Sequence, residues 1–182
     1  MATDIQRAIE AAFRIERPKL IAVLTRMVRD IGTAEELAQD ALVQALKDWP
    51  VSGIPDRPGA WLTTTGKRLA LNLLQRNKRL ERKLDEFGRD LDGTVEPDAD
   101  AALDDEIGDE LLGLIFVACH PMLAAQARAA LTLRLLGGLG VDEIARAFFV
   151  PVPTIRQRIV RAKRAIAKAG IPFEVPRGPE LS

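Results

Sequence analysis

The stretch that decides the fold is Val141-Asp-Glu-Ile-Ala-Arg-Ala-Phe-Phe-Val-Pro-Val-Pro-Thr-Ile-Arg-Gln-Arg-Ile-Val-Arg-Ala-Lys-Arg-Ala-Ile-Ala-Lys-Ala169. Asp142 and Glu143 open it, where the positive end of a helix dipole favours carboxylates. Val150-Pro-Val-Pro153 interrupts the helical pattern, and Pro153 stands at or near the first position of a new helix, where its missing N–H costs nothing. On a wheel of about 100° per residue, Ile155, Ile159, Ala162 and Ile166 fall within about 60° of one another and predict a buried stripe. Gln157, Arg161, Arg164 and Lys168 fall opposite; Arg156 and Lys163 line one flank and Arg158 the other. A helix, a short turn and a second, basic amphipathic helix make a helix-turn-helix. The exposed side chains of such a second helix reach base edges, its flanking cations meet phosphates, and Arg and Gln can grip G and A edges with two hydrogen bonds. The plainer alternative is a basic surface helix with no partner; the preceding helix, the turn and the proline favour duplex DNA.

Working outward, nearly everything else also reads as helix, and the fold class is all-α. Helices are expected at about 106–117, 121–136, 141–149 and 154–169, with Gly137, Gly138 and Gly140 separating the second from the third. In the first half an apolar stripe runs through Ile5, Ile9, Ala12 and Phe13 and resumes at Leu20, Val23, Leu24 and Met27, with Pro18 expected to kink or split it. Thr33 and Glu36 have capping-box spacing, so Thr33 is expected to cap a second helix that ends at Pro50. A loop follows over 51–58, and a third helix from near Pro58 carries Trp61, Leu62 and Leu69 into a basic run. The predicted organisation is two small helical domains, 1–84 and 104–172, joined by a linker over 85–103 and followed by a tail over 173–182.

The chain has 182 residues with 26 Lys+Arg and 26 Asp+Glu, but this balance hides segregated charge. Residues 67–83 hold seven cations against Glu81, residues 85–110 hold twelve acids against Arg89, and residues 153–177 hold seven cations against Glu174. The two basic blocks are candidate polyanion surfaces; on charge alone they read equally well as solvated helix faces.

The two halves together resemble a known family. Ala34-Glu-Glu-Leu-Ala-Gln-Asp-Ala-Leu-Val-Gln-Ala-Leu-Lys-Asp-Trp49, then Arg57-Pro-Gly-Ala-Trp-Leu-Thr-Thr-Thr-Gly-Lys-Arg-Leu-Ala-Leu-Asn-Leu-Leu74 and the basic run, resemble region 2 of the bacterial extracytoplasmic-function (ECF) sigma factors of the sigma-70 family. Val150-Pro-Val-Pro-Thr-Ile-Arg-Gln-Arg-Ile-Val-Arg-Ala-Lys-Arg164 resembles their region 4. Phe116-Val-Ala-Cys-His-Pro-Met-Leu123 and Ala130-Leu-Thr-Leu-Arg-Leu-Leu-Gly-Gly-Leu139 resemble a subgroup whose members usually continue into a helical-repeat extension thought to regulate them. This chain ends at Ser182, which leaves its regulation open.

The resemblance implies partners and sites. The second helix would bind the β′ coiled coil of core RNA polymerase through Glu36, Gln39, Asp40 and Gln44, with Leu42 and Val43 nearby, and region 4 would meet the β flap. The third helix would hold the single-stranded −10 element through Lys67, Arg68, Asn72, Arg76, Lys78 and Arg79, with Trp61 and the loop before it as a base pocket; Trp61 reads equally as core. Region 4 would read the duplex −35 element through Thr154, Arg156, Gln157, Arg158 and Arg161, with Arg164 and Lys168 nearer phosphate or solvent. The acidic linker would thread a basic RNA-exit channel, inhibit the free chain by folding on its basic faces, or serve as a solubilising tether. An anti-sigma factor or the missing extension would regulate the protein. A stand-alone helix-turn-helix regulator and a sigma mimic that sequesters an anti-sigma factor are the alternatives; the mimic has no use for the basic faces.

Other classes are excluded. A single cysteine, Cys119, rules out an intrachain disulfide scaffold. The N-terminus lacks an apolar signal core, and the most apolar stretch, 111–125, falls short of about 18–20 residues, so a cytoplasmic protein with no membrane span is expected. Gly59 to Lys67 has the wrong spacing for a phosphate loop. Cys119 and His120 lack further ligands for a metal and read as a buried Cys beside a helix-junction His. Asp104-Asp105-Glu106 reads as an acidic first turn of a helix rather than the metal cluster of a hydrolase. No cofactor, metal or catalytic residue is expected.

Overall fold

The structure, a computed structural model, describes residues 2–86 and 106–173. The stretch 87–105, including Asp104, Asp105 and most of the expected linker, and the tail beyond Phe173 lie outside the described residues. The described residues form seven helices in order: α1 Ala2–Val28, α2 Ile31–Ser52, α3 Pro58–Glu86, α4 Glu106–Ala118, α5 Ala125–Leu135, α6 Val141–Ala147 and α7 Val152–Ala169. The described residues contain no strand, so the fold is all-α as read.

α1 continues through Pro18 as one helix, so of the expected kink or split the split does not occur. An interior proline costs about 3 kcal/mol. Phe13 on one side and Leu20, Ile21 and Leu24 on the other are all buried in the same core, each stabilising by about 1.5–3 kcal/mol, which outweighs that cost. The helix ends at Arg29, whose φ of 55° turns the chain while its N–H still reaches the Thr25 carbonyl at 2.7 Å.

The cap of α2 is not Thr33 but Asp30. Its carboxylate accepts from the Thr33 backbone N–H at 2.7 Å and from the Thr33 hydroxyl at 2.8 Å, so Thr33 lies inside the helix it was expected to start. Pro50 does not stop α2 either; the helix continues to Ser52 and ends at Gly53, whose φ of 85° suits glycine. Residues 53–57 form the loop to α3, shorter than expected at its front. α3 in turn extends to Glu86, two residues into the expected linker.

His120–Ala124 is a turn, so α5 starts at Ala125, four residues later than the expected 121. The Leu123 N–H closes the turn on the His120 carbonyl at 3.0 Å. Cys119, expected to be buried, is exposed, because it follows α4 on the side facing away from the helix's buried Leu114 and Val117.

One hydrophobic core runs through the molecule, from Ile9 and Phe13 in α1 to Ile159 and Ile166 in α7. α1 is its axis: α2 and α3 pack on it, α4 lies along it, and α5 touches it. α5, α6 and α7 pack on one another, and α7 reaches back to α2 over a short stretch.

Candidate nucleic-acid interface

α7 has the two faces that its sequence predicts. Ile155, Ile159, Ala162 and Ile166 are buried, and Arg156, Gln157, Arg161, Arg164 and Lys168 are exposed. Thr154 and Arg158 are half-buried at the rim. Pro151 precedes the helix and Pro153 sits in its first turn, while Gly170, with φ 60°, ends it in the left-handed region. α6 lies against α7, and Gly140 N–H donates to the Glu143 carboxylate at 2.6 Å at the start of α6. The turn between them carries Phe149, with φ 53° and 96% of its surface exposed.

A second basic surface lies along α3. Arg68, Asn72, Arg76, Lys78 and Arg79 are exposed and Lys67 is half-buried, all on a helix whose other side buries Leu62, Thr65 and Ala70. Trp61 is half-buried and meets Trp49 edge to face, with ring centroids 5.2 Å apart and planes at 71°. This ring is packed against the core rather than standing free as a stacking platform. Ile54 within the 53–57 loop and Val51 just before it are exposed apolar side chains.

On α2, Glu36, Gln39, Asp40 and Val43 are exposed and Gln44 is half-buried, its amide donating to the Asp48 carboxylate at 3.2 Å. Leu42 belongs to the core and is removed from the candidate contact surface: it falls on the stripe shared by Ile31, Ala38 and Trp49.

The sequence reading missed the most heavily charged contact among the described residues. Glu35 in α2 and Arg17 in α1 are buried, with side chains 9% and 8% exposed, and lie 2.7 Å apart. Glu35 also takes Arg134 of α5 at 3.2 Å and Lys163 of α7. Arg17 donates in addition to the Arg134 backbone carbonyl at 2.8 Å, and Arg134 donates to the Leu139 carbonyl at 3.1 Å. One carboxylate therefore faces three cations from three helices. Burial, and next the neighbouring Arg134 guanidinium, push the Arg17 pKa down, and Glu35 opposes them. A signal was present: on the wheel Arg17 falls at the edge of the stripe of Ile9, Phe13, Leu20 and Leu24, and Glu35 falls beside Ile31 and Leu42. A charge in an apolar stripe needs a partner when it is buried.

Among the described residues no three His, Cys, Asp or Glu stand together as a metal site, and no helix is long and apolar enough to cross a membrane. His120 is engaged locally, its Nδ1 accepting from the Met122 N–H at 3.3 Å.

Comparison with known families settles the class. The Sigma-70 region 2 profile matches residues 12–80, and the Sigma-70 region 4 profile matches residues 114–166. The chain belongs to the sigma-70 family. It is 41% identical over 170 residues to an uncharacterised protein of Rhizobium meliloti, covering 92% of this chain and 40% of that protein. It is 30% identical over 172 residues to the probable ECF RNA polymerase sigma factor SigI of Mycobacterium tuberculosis, covering 92% and 57%. The RNA polymerase sigma-H factor of Pseudomonas aeruginosa is 29% identical over 177 residues, covering 91% and 89%. Of these three relatives SigI carries the ECF name, the group whose regions 2 and 4 the sequence resembles. The chain thus spans less than two thirds of the length of the first two.

The region 2 match takes in α2 and the basic length of α3 up to residue 80, and with them every candidate for polymerase and −10 contact. The region 4 match contains α5, α6 and every candidate on α7 up to Ile166. In this sigma-70 chain the ion cluster joins the two: Arg17 and Glu35 fall in the region 2 match, Arg134 and Lys163 in the region 4 match.

Proposed function

We propose that this chain directs RNA polymerase to promoters, with a region 2 domain over 1–84 and a region 4 domain over 104–172. The observation that carries the reading is α7: a buried apolar back, an exposed front of Arg156, Gln157, Arg161 and Arg164, and a proline-set N-terminus. This is a helix shaped and charged for the major groove. Thr154, Arg156, Gln157, Arg158 and Arg161 read the −35 duplex, and Arg164 and Lys168 meet phosphate. The α3 cations hold the −10 strand, and bases flipped from it lodge by the 53–57 loop, against Ile54 within it and Val51 just before it. Glu36, Gln39, Asp40, Val43 and Gln44 on α2 dock on the β′ coiled coil, and region 4 docks on the β flap. The protein works in the cytoplasm, has no catalytic activity of its own and needs no cofactor. An anti-sigma factor or a C-terminal regulatory extension governs its release.

Pull-down with core polymerase tests the reading together with transcription in vitro from a promoter-bearing template. Retention on core and a transcript dependent on this chain are expected; failure of both overturns it.

A further inference from the structure

α7 carries one side chain that neither packing nor charge accounts for. Its large apolar residues are Val152, Ile155, Ile159, Val160 and Ile166. Ile155, Ile159 and Ile166 are buried, and Val152 packs against the core. Val160 is 40% exposed and lies outside that core. Its neighbours on the helix surface are the exposed front of α7: Arg156 and Gln157 stand one turn before it, Arg161 follows it and Arg164 stands one turn after it. A lone exposed apolar residue is ordinary on a protein surface. The middle of a cationic face offered to a groove lined with base edges is not an ordinary place for one.

Stability does not explain the choice. Valine is a weaker helix former than Ala, Arg or Lys, and at an exposed position no packing offsets the difference. What valine supplies is stiffness. Its branched Cβ holds essentially one χ1 rotamer in a helix, so both methyls are fixed in place before anything binds. The side chain has no donor or acceptor and is blind to the hydrogen-bonding edges of the bases. The apolar group that base edges present in the major groove is the C5-methyl of thymine. Val160 stands about 4.5 Å further along α7 than Gln157, against about 3.4 Å per base pair. A helix lying along the groove therefore presents the two to neighbouring base pairs.

We propose that Val160 is a specificity-determining residue of α7, and that it reads one thymine of the −35 element by packing its γ-methyls on the C5-methyl. The inference rests on the promoter-binding reading above and deepens it. Arg156 and Arg164 flank the contact on the helix surface and close water out of it once they meet the duplex, as a polar rim does around an apolar centre. The neighbouring Gln157 and Arg161 take their bases by hydrogen bonds, and Val160 adds a base that no hydrogen bond from this helix distinguishes.

The test starts from the −35 block that the full chain, bound to core polymerase, enriches from a random duplex library. In that duplex each thymine is replaced in turn by deoxyuridine, which deletes the methyl and leaves the hydrogen-bonding edge intact. Competition against the parent duplex is then measured with the same holoenzyme. One replacement should weaken binding about fourfold, the factor that corresponds to one buried methyl at about 0.8 kcal/mol. Val160→Ala, which lacks both γ-carbons, should lose the penalty at that thymine alone, and Val160→Ile, which keeps both branches, should retain it. The slope of log K against log salt should stay at the wild-type value in both variants, because no phosphate contact is lost. Val160→Ala should melt at the wild-type temperature or above it, since Ala is the better helix former, so the comparison does not depend on a damaged fold. An enriched block without thymine, a block indifferent to every uracil, or a penalty undiminished in Val160→Ala overturns the proposal and leaves the promoter reading in place. Failure of the chain to enrich any block would instead remove the promoter reading, and this proposal with it.

Discussion

Arg17 and Glu35 form a buried ion pair at 2.7 Å between α1 and α2, and Arg17 extends the contact to the Arg134 backbone carbonyl at 2.8 Å. Removal of one member of a buried pair leaves the other charge without full compensation. Arg17→Ala should destabilise the fold by about 3 kcal/mol, the low end of the usual range, because Arg134 and Lys163 still face the carboxylate. Urea unfolding followed by circular dichroism measures it; a change below about 0.5 kcal/mol would show that the cluster adds nothing net.

Trp49 gives a sharper pair of variants. Its ring is buried against Trp61, yet among the described residues its Nε1–H has no hydrogen-bond partner. Trp49→Ala should cost about 3–5 kcal/mol through lost contacts and a cavity. Trp49→Phe should cost far less, about 1.5 kcal/mol at most, because it also deletes an unsatisfied buried donor. Equal losses in the two variants would show that the indole N–H is satisfied in solution.

The α2 cap separates the observed geometry from the sequence expectation. Asp30→Ala should destabilise by about 1 kcal/mol, because the carboxylate satisfies the Thr33 N–H and hydroxyl. Glu36→Ala should have little effect on stability, although capping-box spacing would have made it the partner. Thermal melts of the two variants decide between them.

Phe149 is held at φ 53° with its ring in solvent. Phe149→Gly should raise stability by about 0.5–1 kcal/mol by relieving left-handed strain with no packing to lose. A loss of stability on denaturant unfolding would show that the ring packs in solution.

On α7, Arg161→Ala should cost about 1–3 kcal/mol on a cognate −35 duplex and relax preference at one base pair, if its guanidinium grips a guanine edge. Uniform weakening on all sequences would assign Arg161 to phosphate. Competition binding across single-base variants of the duplex distinguishes the two.

How far the sequence carried the reading depended on whether neighbouring residues decided the outcome. The α7 stripe was legible because four apolar residues at helical spacing leave only one face to bury, and Pro153 marks the start. The Asp30 cap was not, because Thr33 and Glu36 offered the same signal three residues on. Pro18 reads locally as a kink or split and Pro50 as a stop, and tertiary packing carries both helices through them: Leu20 and Ile21 follow the first proline in the core, and Trp49 precedes the second. Exposure of Cys119 depended on where α4 lies against α1, which no local pattern states. The Glu35 cluster was hidden for a related reason. The three cations lie 18 to 128 positions from Glu35 in the chain, and only the wheel positions of Arg17 and Glu35 hinted that either charge was buried.

The central claim is that this chain supplies promoter choice to RNA polymerase through two separate cationic surfaces. It is tested most directly by selecting promoters from a random DNA library with core polymerase and this chain, and sequencing the templates transcribed. The account predicts two enriched blocks, one near −35 and one near −10, with Arg161→Ala altering only the upstream block and Arg76→Ala weakening opening without changing that block. Enrichment of no sequence, or of one block that both variants alter alike, would contradict it.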